Sequence, residues 1–250
     1  MTQASDLKKI EDSWYSNHLG REMPIVRYGD YGAPVLFFPT AAADYLEYER
    51  FRLIDSIAHF VERGMINIFS IDSINKDAWL NEKIEPARRA EIQVAYDRYV
   101  AEEVVPYIRN ACQTDDIKIT TTGASFGAYH AMNETLKHPD LFAGAIAMSG
   151  CYDIRSSCDG HHDANVYFNN PVEFLPNIED EDLLARLREL RITVVTGQGD
   201  YENPDYSKEM AGLLERKGIP VTLDLWGHDV KHDWPWWNRM LNHYLPIHCS

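Results

Sequence analysis

The sequence predicts a largely parallel β-sheet with helices on both faces, built as one domain over residues 1–250. Three observations lead there. Short runs of β-branched and aromatic residues alternate with segments of helical spacing along the chain. Some of these runs, such as Val35-Leu36-Phe37-Phe38, are apolar throughout, as in a strand covered on both faces. No internal repeat and no linker rich in Pro, Gly or Ser divides the chain, and 250 residues can bury one large core.

In order, Pro24 to Tyr28 reads as a strand that turns at Gly29-Asp30-Tyr31-Gly32, and Val35 to Phe38 as the next. Tyr45 to Arg63 carries apolar residues at helical spacing and stops at Gly64. Ile66 to Ile71 is a strand with Asp72 just past its end, and Pro86 to Ala111 is a long helix opening with proline. Ile117 to Thr122 is β-branched and leads into Gly123-Ala124-Ser125-Phe126-Gly127, after which Ala128 to Leu136 are good helix formers that stop at His138-Pro139. Ala143 to Met148 is a strand. Residues 151–180, rich in Asp, Asn, Ser and His with interspersed aromatics, break the alternation and predict an inserted loop or small cap. A helix over 181–190, a strand over 192–195, a helix over 205–217 ending at Gly218, and a strand over 221–225 complete the pattern.

The bulk properties narrow the function. With 39 acidic and 24 basic residues the net charge is −15, a field that repels phosphate backbones and anionic membranes, so neither nucleic acid nor membrane is an expected partner. The N-terminal residues show no apolar leader segment, and no run is long enough to span a bilayer, which predicts a cytoplasmic protein. The four cysteines, Cys112, Cys151, Cys158 and Cys249, have no metal-ligand spacing; Cys151 and Cys158 are close enough in sequence to bridge, but that location favours free thiols. A homo-oligomer is left open.

Gly123-Ala124-Ser125-Phe126-Gly127 fits Gly-x-Ser-x-Gly at a strand-to-helix turn, where a serine hydroxyl is held exposed above the sheet. Such a hydroxyl needs a base, and the base an orienting acid, in the chain order Ser, acid, His. Asp200, in a glycine-containing turn just past the strand over 192–195, is the candidate acid, with Glu202 and Asp205 near enough to compete. His228 and His232 both follow the strand over 221–225 and suit the base by order and position. Their spacing of four suggests a metal pair, but Gly227 and Pro235 around them argue against the helix such a pair requires, so no metal is expected. His161-His162-Asp163 reads as a solvated loop. For an oxyanion hole the Phe126 amide is one candidate donor, and the small residues of Pro39-Thr40-Ala41-Ala42-Ala43-Asp44 offer another, Ala41 first and Ala42 second. Tyr45, Trp79, Tyr152, Tyr167 and Trp234 are candidate wall residues, with Tyr152 and Trp234 chosen as substrate contacts.

The segments Phe38-Pro39-Thr40-Ala41, Thr122 to His130, Ser149-Gly150 followed by Tyr152-Asp153, and His232-Asp233-Trp234-Pro235-Trp236-Trp237 resemble the α/β-hydrolase superfamily. The resemblance is to its esterase branch, similar to esterase D and polyhydroxyalkanoate depolymerase-type esterases, and it covers nearly the whole chain. It implies Ser125 as nucleophile, Asp200 as orienting acid and His232, first in a His-Asp-Trp segment, as the base. The implied activity is cofactor-free hydrolysis of small carboxylic esters through an acyl-serine. A thioesterase, an acyltransferase or a catalytically silent binding module are the alternatives. The oxyanion segment departs from the lipase-type His-Gly-Gly pattern, having Pro39-Thr40-Ala41 instead.

Overall fold

The computed structural model describes residues 4–249; Met1–Gln3, part of the stretch read above for a leader, and Ser250 lie outside the described residues. Eight strands form one sheet: β1 (Lys9–Ser16), β2 (Arg21–Tyr28), β3 (Ala33–Phe38), β4 (Ile66–Ile71), β5 (Ile119–Ala124), β6 (Phe142–Met148), β7 (Arg191–Thr196) and β8 (Val221–Leu225). Their order is β1-β2-β4-β3-β5-β6-β7-β8. β1 and β2 are antiparallel to their neighbours, and the rest of the sheet is parallel.

The helices are α1 (Glu47–Arg50), α2 (Leu53–Glu62), α3 (Pro86–Tyr99), α4 (Val105–Cys112), α5 (Phe126–Lys137), α6 (Ala164–Tyr167), α7 (Pro171–Phe174), α8 (Glu181–Leu187), α9 (Pro204–Arg216) and α10 (Trp234–His248). α2 and α10 cover one face, packing Ile54, Ile57, Met240 and Leu241 on Val35, Phe37 and Ile68. α3 and α4 cover the other, where Tyr96, Tyr99 and Ile108 meet Leu36, Phe38 and Phe69. The side chains of β3 therefore alternate between two cores, which is why its sequence is apolar at every position. The expected α/β-hydrolase fold is the fold observed.

The helix expected over 45–63 is two helices, separated where Arg52 takes a left-handed φ of 60°. The long helix expected over 86–111 is continuous through one π-helical turn over Val100–Val104. Residues 151–180 contain α6 and α7 and pack down against α3 and α5, with Ile154, Cys158 and Val166 buried beside Trp79, Ala90 and Tyr129. All four cysteines are free. Among the described residues no helix is long and apolar enough to cross a membrane.

What matters for the site is the point where strand order reverses. The chain leaves β3 to one side for β4 and crosses back to the other side for β5. The loops after β3 and β5 therefore diverge and leave a crevice at the carboxyl ends of the strands, the place where such sheets bind ligands. The loops after β6, β7 and β8 emerge at the same end because all five strands run parallel.

Candidate active site

Ser125 sits in that crevice, between the last residue of β5 and the first of α5. Its backbone is strained, with φ 56° and ψ −121°, a region a non-glycine residue occupies at a cost of about 1–3 kcal/mol. The turn is held because Ser125 N–H donates to the Met148 carbonyl at 2.9 Å and the Ser125 carbonyl accepts from Ala128 N–H at 3.1 Å. The two glycines serve close approach rather than unusual dihedrals. A Cβ on Gly123 would overlap the Gly127 backbone, and one on Gly127 would overlap the Phe38 carbonyl and lie 2.7 Å from that of Pro39. Strand, helix and the start of the loop after β3 are thus pressed together beneath a half-exposed Ser125. Among the described residues its hydroxyl makes no hydrogen bond, to His232 or any other group; such bonds are often long before substrate binds and tighten afterwards.

The His232 ring is 25% exposed, and its Nδ1 lies 3.2 Å from Glu202 Oε2. A carboxylate only accepts, so Nδ1 carries a proton, and in the neutral imidazole it is then Nε2 that holds the lone pair. Glu202, whose side chain is 1% exposed, is gripped from every side. Thr196 Oγ1 donates to Oε2 at 3.1 Å, while Gly197 N–H and Ser149 Oγ donate to Oε1 at 3.2 and 2.6 Å. The indole of Trp237 donates to Ser149 Oγ at 3.0 Å and meets the His232 ring edge to face at 4.9 Å. Burial alone would raise the Glu202 carboxyl; the bonds from His232, Ser149 and Gly197 outweigh it and hold the group below its ordinary value. Ser149 follows Met148, the residue whose carbonyl anchors Ser125, so one strand end connects the serine turn to the acid's cradle.

Asp200, expected as the acid, does not meet His232 through its side chain. Its carboxylate is 65% exposed and pairs with Lys231 at 2.6 Å, and only its backbone carbonyl accepts from His232 N–H, at 3.1 Å. The reason is local: Tyr201 takes a left-handed φ of 65°, which turns the chain so that Glu202, not Asp200, enters the sheet end. His228 is exposed, while His232 is half-buried.

The other expected residues are placed as follows. Phe126 opens α5, where its N–H has no intrahelical acceptor. Ala41 and Ala42 are exposed in the loop after β3, and among the described residues neither amide donates to a protein acceptor. Tyr152 is not a wall residue: its ring is fully buried against Gly150, where a Cβ would come within 2.5 Å of it. Trp79 is likewise buried, donating to Gln93, and Tyr167 lines a separate cavity of about 430 Å³ beyond the carboxyl end of α5. Trp234 is half-buried beside the site, stacked on exposed Phe51 at 4.5 Å and edge-on to Trp237 at 5.1 Å.

Among the described residues the one metal-ligating grouping is Asp97, Glu134 and His138, at the far end of α5 from Ser125. The Lys137 ammonium already lies 2.9 Å from Asp97 in that cluster, and neither His228 nor His232 belongs to it.

The family model described as “Putative esterase” matches residues 39–248. No curated protein matches the chain. Among solved structures, a ferulic acid esterase is 19% identical, with a TM-score of 0.76 over 97% of this chain and 98% of that one. A fluorophosphonate-binding serine hydrolase of Staphylococcus aureus is 14% identical, with a TM-score of 0.74 over 98% and 99%. An S-formylglutathione hydrolase from Agrobacterium tumefaciens is 16% identical, with a TM-score of 0.73 over 97% and 95%.

Proposed function

The chain belongs to the esterase family of the α/β hydrolases and is an ester hydrolase, and from that premise we propose that it cleaves small carboxylic esters through an acyl-serine intermediate. Ser125 is the nucleophile, His232 the general base and Glu202 the orienting acid. The carrying observation is the Glu202–His232 pair, cradled by three strand-end groups of β6 and β7, at the same end of the sheet as a strained and accessible serine.

His232 Nε2 takes the Ser125 Oγ proton as that oxygen bonds to the ester carbon. Negative charge moves to the former carbonyl oxygen, which accepts from the Phe126 N–H and from an amide of the Ala41–Ala42 segment. Each such donor is worth about 2.7–4 kcal/mol in other serine hydrolases. As the carbon–oxygen bond breaks, His232 gives its proton to the departing alkoxide. Water then adds to the acyl-serine by the same route and releases the acid. Glu202 keeps the imidazole in the tautomer that leaves Nε2 free and stabilises the imidazolium that forms twice per cycle.

Small substrates suit the segment over 151–180, whose apolar side chains Tyr152, Ile154, Val166 and Phe174 are spent on the core rather than on an acyl-binding cover. A series of p-nitrophenyl esters of increasing acyl length tests the reading, run beside matched thioesters and with Ser125→Ala as control. Turnover falling with chain length, and losses of ~10⁶-fold in the variant, are the expected results. Near-full activity in Ser125→Ala ends the nucleophile assignment, and preference for long acyl chains or for thioesters ends the substrate assignment.

A further inference from the structure

We propose that Asn75, with Ser73 and His130 beside it, is a positioning residue that holds the oxyanion loop at a fixed height above the nucleophile. This rests on the acyl-serine reading above and assigns residues that no part of that mechanism uses. Asn75 lies in the loop after β4, fully buried. Its Nδ2 donates to the Ala41 carbonyl at 2.6 Å, and Ser73 Oγ donates to the same oxygen at 3.0 Å. Asn75 N–H in turn donates to Ser73 Oγ at 3.0 Å. Because Nδ2 is committed to Ala41, Asn75 Oδ1 is the acceptor that faces His130 Nε2 at 2.8 Å, and His130 must carry its proton there.

His130 belongs to α5, the helix that Ser125 opens. The chain of bonds therefore runs from the nucleophile's own helix, through His130 and Asn75, to the Ala41 carbonyl, in the segment whose amide is the proposed second oxyanion donor. On the other side of that donor, Thr40 N–H and Oγ1 both donate to Glu47, at 2.8 and 2.6 Å. The Ala41 amide thus lies between two clamped groups, and neither clamp takes the Ala41 or Ala42 N–H itself. A loop of three alanines has no long or polar side chains with which to fix itself; buried polar groups beneath it do so instead.

The surroundings of His130 suit a structural hydrogen-bond donor rather than a proton carrier. Rings of Phe38, Tyr96, Phe126 and Tyr129 stand 4.9–6.0 Å from it, and its Nδ1 has no partner. In so dry a place the ring stays neutral and the direction of the bonds from His130 to Ala41 does not change with pH.

The test compares Asn75→Ala, His130→Phe and the double variant with the parent enzyme, on a short p-nitrophenyl ester and on an aryl trifluoromethyl ketone. Ser125 Oγ adds to the carbonyl carbon of that ketone while its proton passes to His232, giving a hemiketal oxyanion. Each single variant is expected to lower kcat about 10- to 100-fold with KM within about 3-fold, since a misaimed donor costs less than a missing one. Affinity for the ketone falls in parallel, the pH profile keeps its shape, and the double variant is no worse than the poorer single, as for groups acting through one connection. Folded variants that keep parental kcat, or lose only KM, overturn the proposal. Ser73→Ala, which leaves Asn75 in place, decides the matter if the other variants do not melt cooperatively: a 3- to 10-fold loss of kcat supports it and parental kcat overturns it. Failure of the acyl-serine reading shows separately, as a parent enzyme whose activity survives Ser125→Ala.

Discussion

Replacing Glu202 by Gln keeps the side chain's length and shape and removes one acceptor. Four donors converge on the carboxylate: His232 Nδ1–H and Thr196 Oγ1 on one oxygen, Ser149 Oγ and Gly197 N–H on the other. An amide has one oxygen, so whichever way it turns, its NH₂ faces two of those groups. Ser149 and Thr196 are hydroxyls and can reorient, but Gly197 N–H cannot and His232 Nδ1 can only by giving up its proton to Nε2. The arrangement with the amide toward His232 therefore selects the tautomer in which Nε2 is no longer a base. Changing an aspartate to asparagine in another serine hydrolase costs ~10⁴ in kcat by this route, and Glu202→Gln is expected to lower kcat by ~10³–10⁴-fold with the fold intact. Asp200→Asn serves as the comparison. Its exposed carboxylate meets only Lys231, so steady-state ester hydrolysis should stay within about 3-fold of the parent. A larger loss in Asp200→Asn than in Glu202→Gln refutes the assignment of the acid.

Other outcomes follow from the same structure. His232→Ala should abolish turnover while His228→Ala, at an exposed position, leaves kcat within about 2-fold; equal losses would mean the base is misplaced. Gly127→Ala inserts a methyl group against the Phe38 and Pro39 carbonyls; by chemical denaturation it should cost about 3 kcal/mol, and activity should fall with it, whereas parental stability would show that α5 can move away from β3. Burial lowers the His130 pKa from 6.5 to about 3. A depressed histidine means the unfolded chain binds more protons, so stability is full above pH 6.5 and is lost as pH falls toward 3. That loss is on the order of 2 kcal/mol by pH 5, and urea melts of His130→Phe should lack this part of the acid sensitivity; identical pH dependence in the two proteins would contradict it.

The sheet and the serine turn were legible because their signals are strong and local. Continuous apolar runs belong to strands with two covered faces, and the five-residue serine motif lies between such a strand and a good helix. β1 gave no signal: it is an edge strand whose positions are mostly exposed on both sides, so no alternation marks it. α10 was hidden by Pro235 and Pro246 and by three tryptophans, although one proline lies in its first turn and the other near its end. The break between α1 and α2 falls at Arg52, with neither glycine nor proline to announce it. At the site, spacing reached the turn after β7 that holds the carboxylate bonded to His232, but pointed to Asp200 rather than Glu202 within it. Asp200 and Glu202 are two residues apart, and a single left-handed residue between them decides which one faces inward. The roles of Asn75 and His130 had no sequence signal, because they are defined by contacts between residues 55 positions apart.

The central claim is that the Ser125 oxygen becomes covalently bonded to substrate. A fluorophosphonate, whose phosphorus loses fluoride to an activated serine, measures this directly when intact mass and peptide mapping are read together. One adduct per chain, on the Ser125 peptide and lost in Ser125→Ala, is the expected result. An active enzyme that takes up no label, or carries it on another residue, would contradict the account.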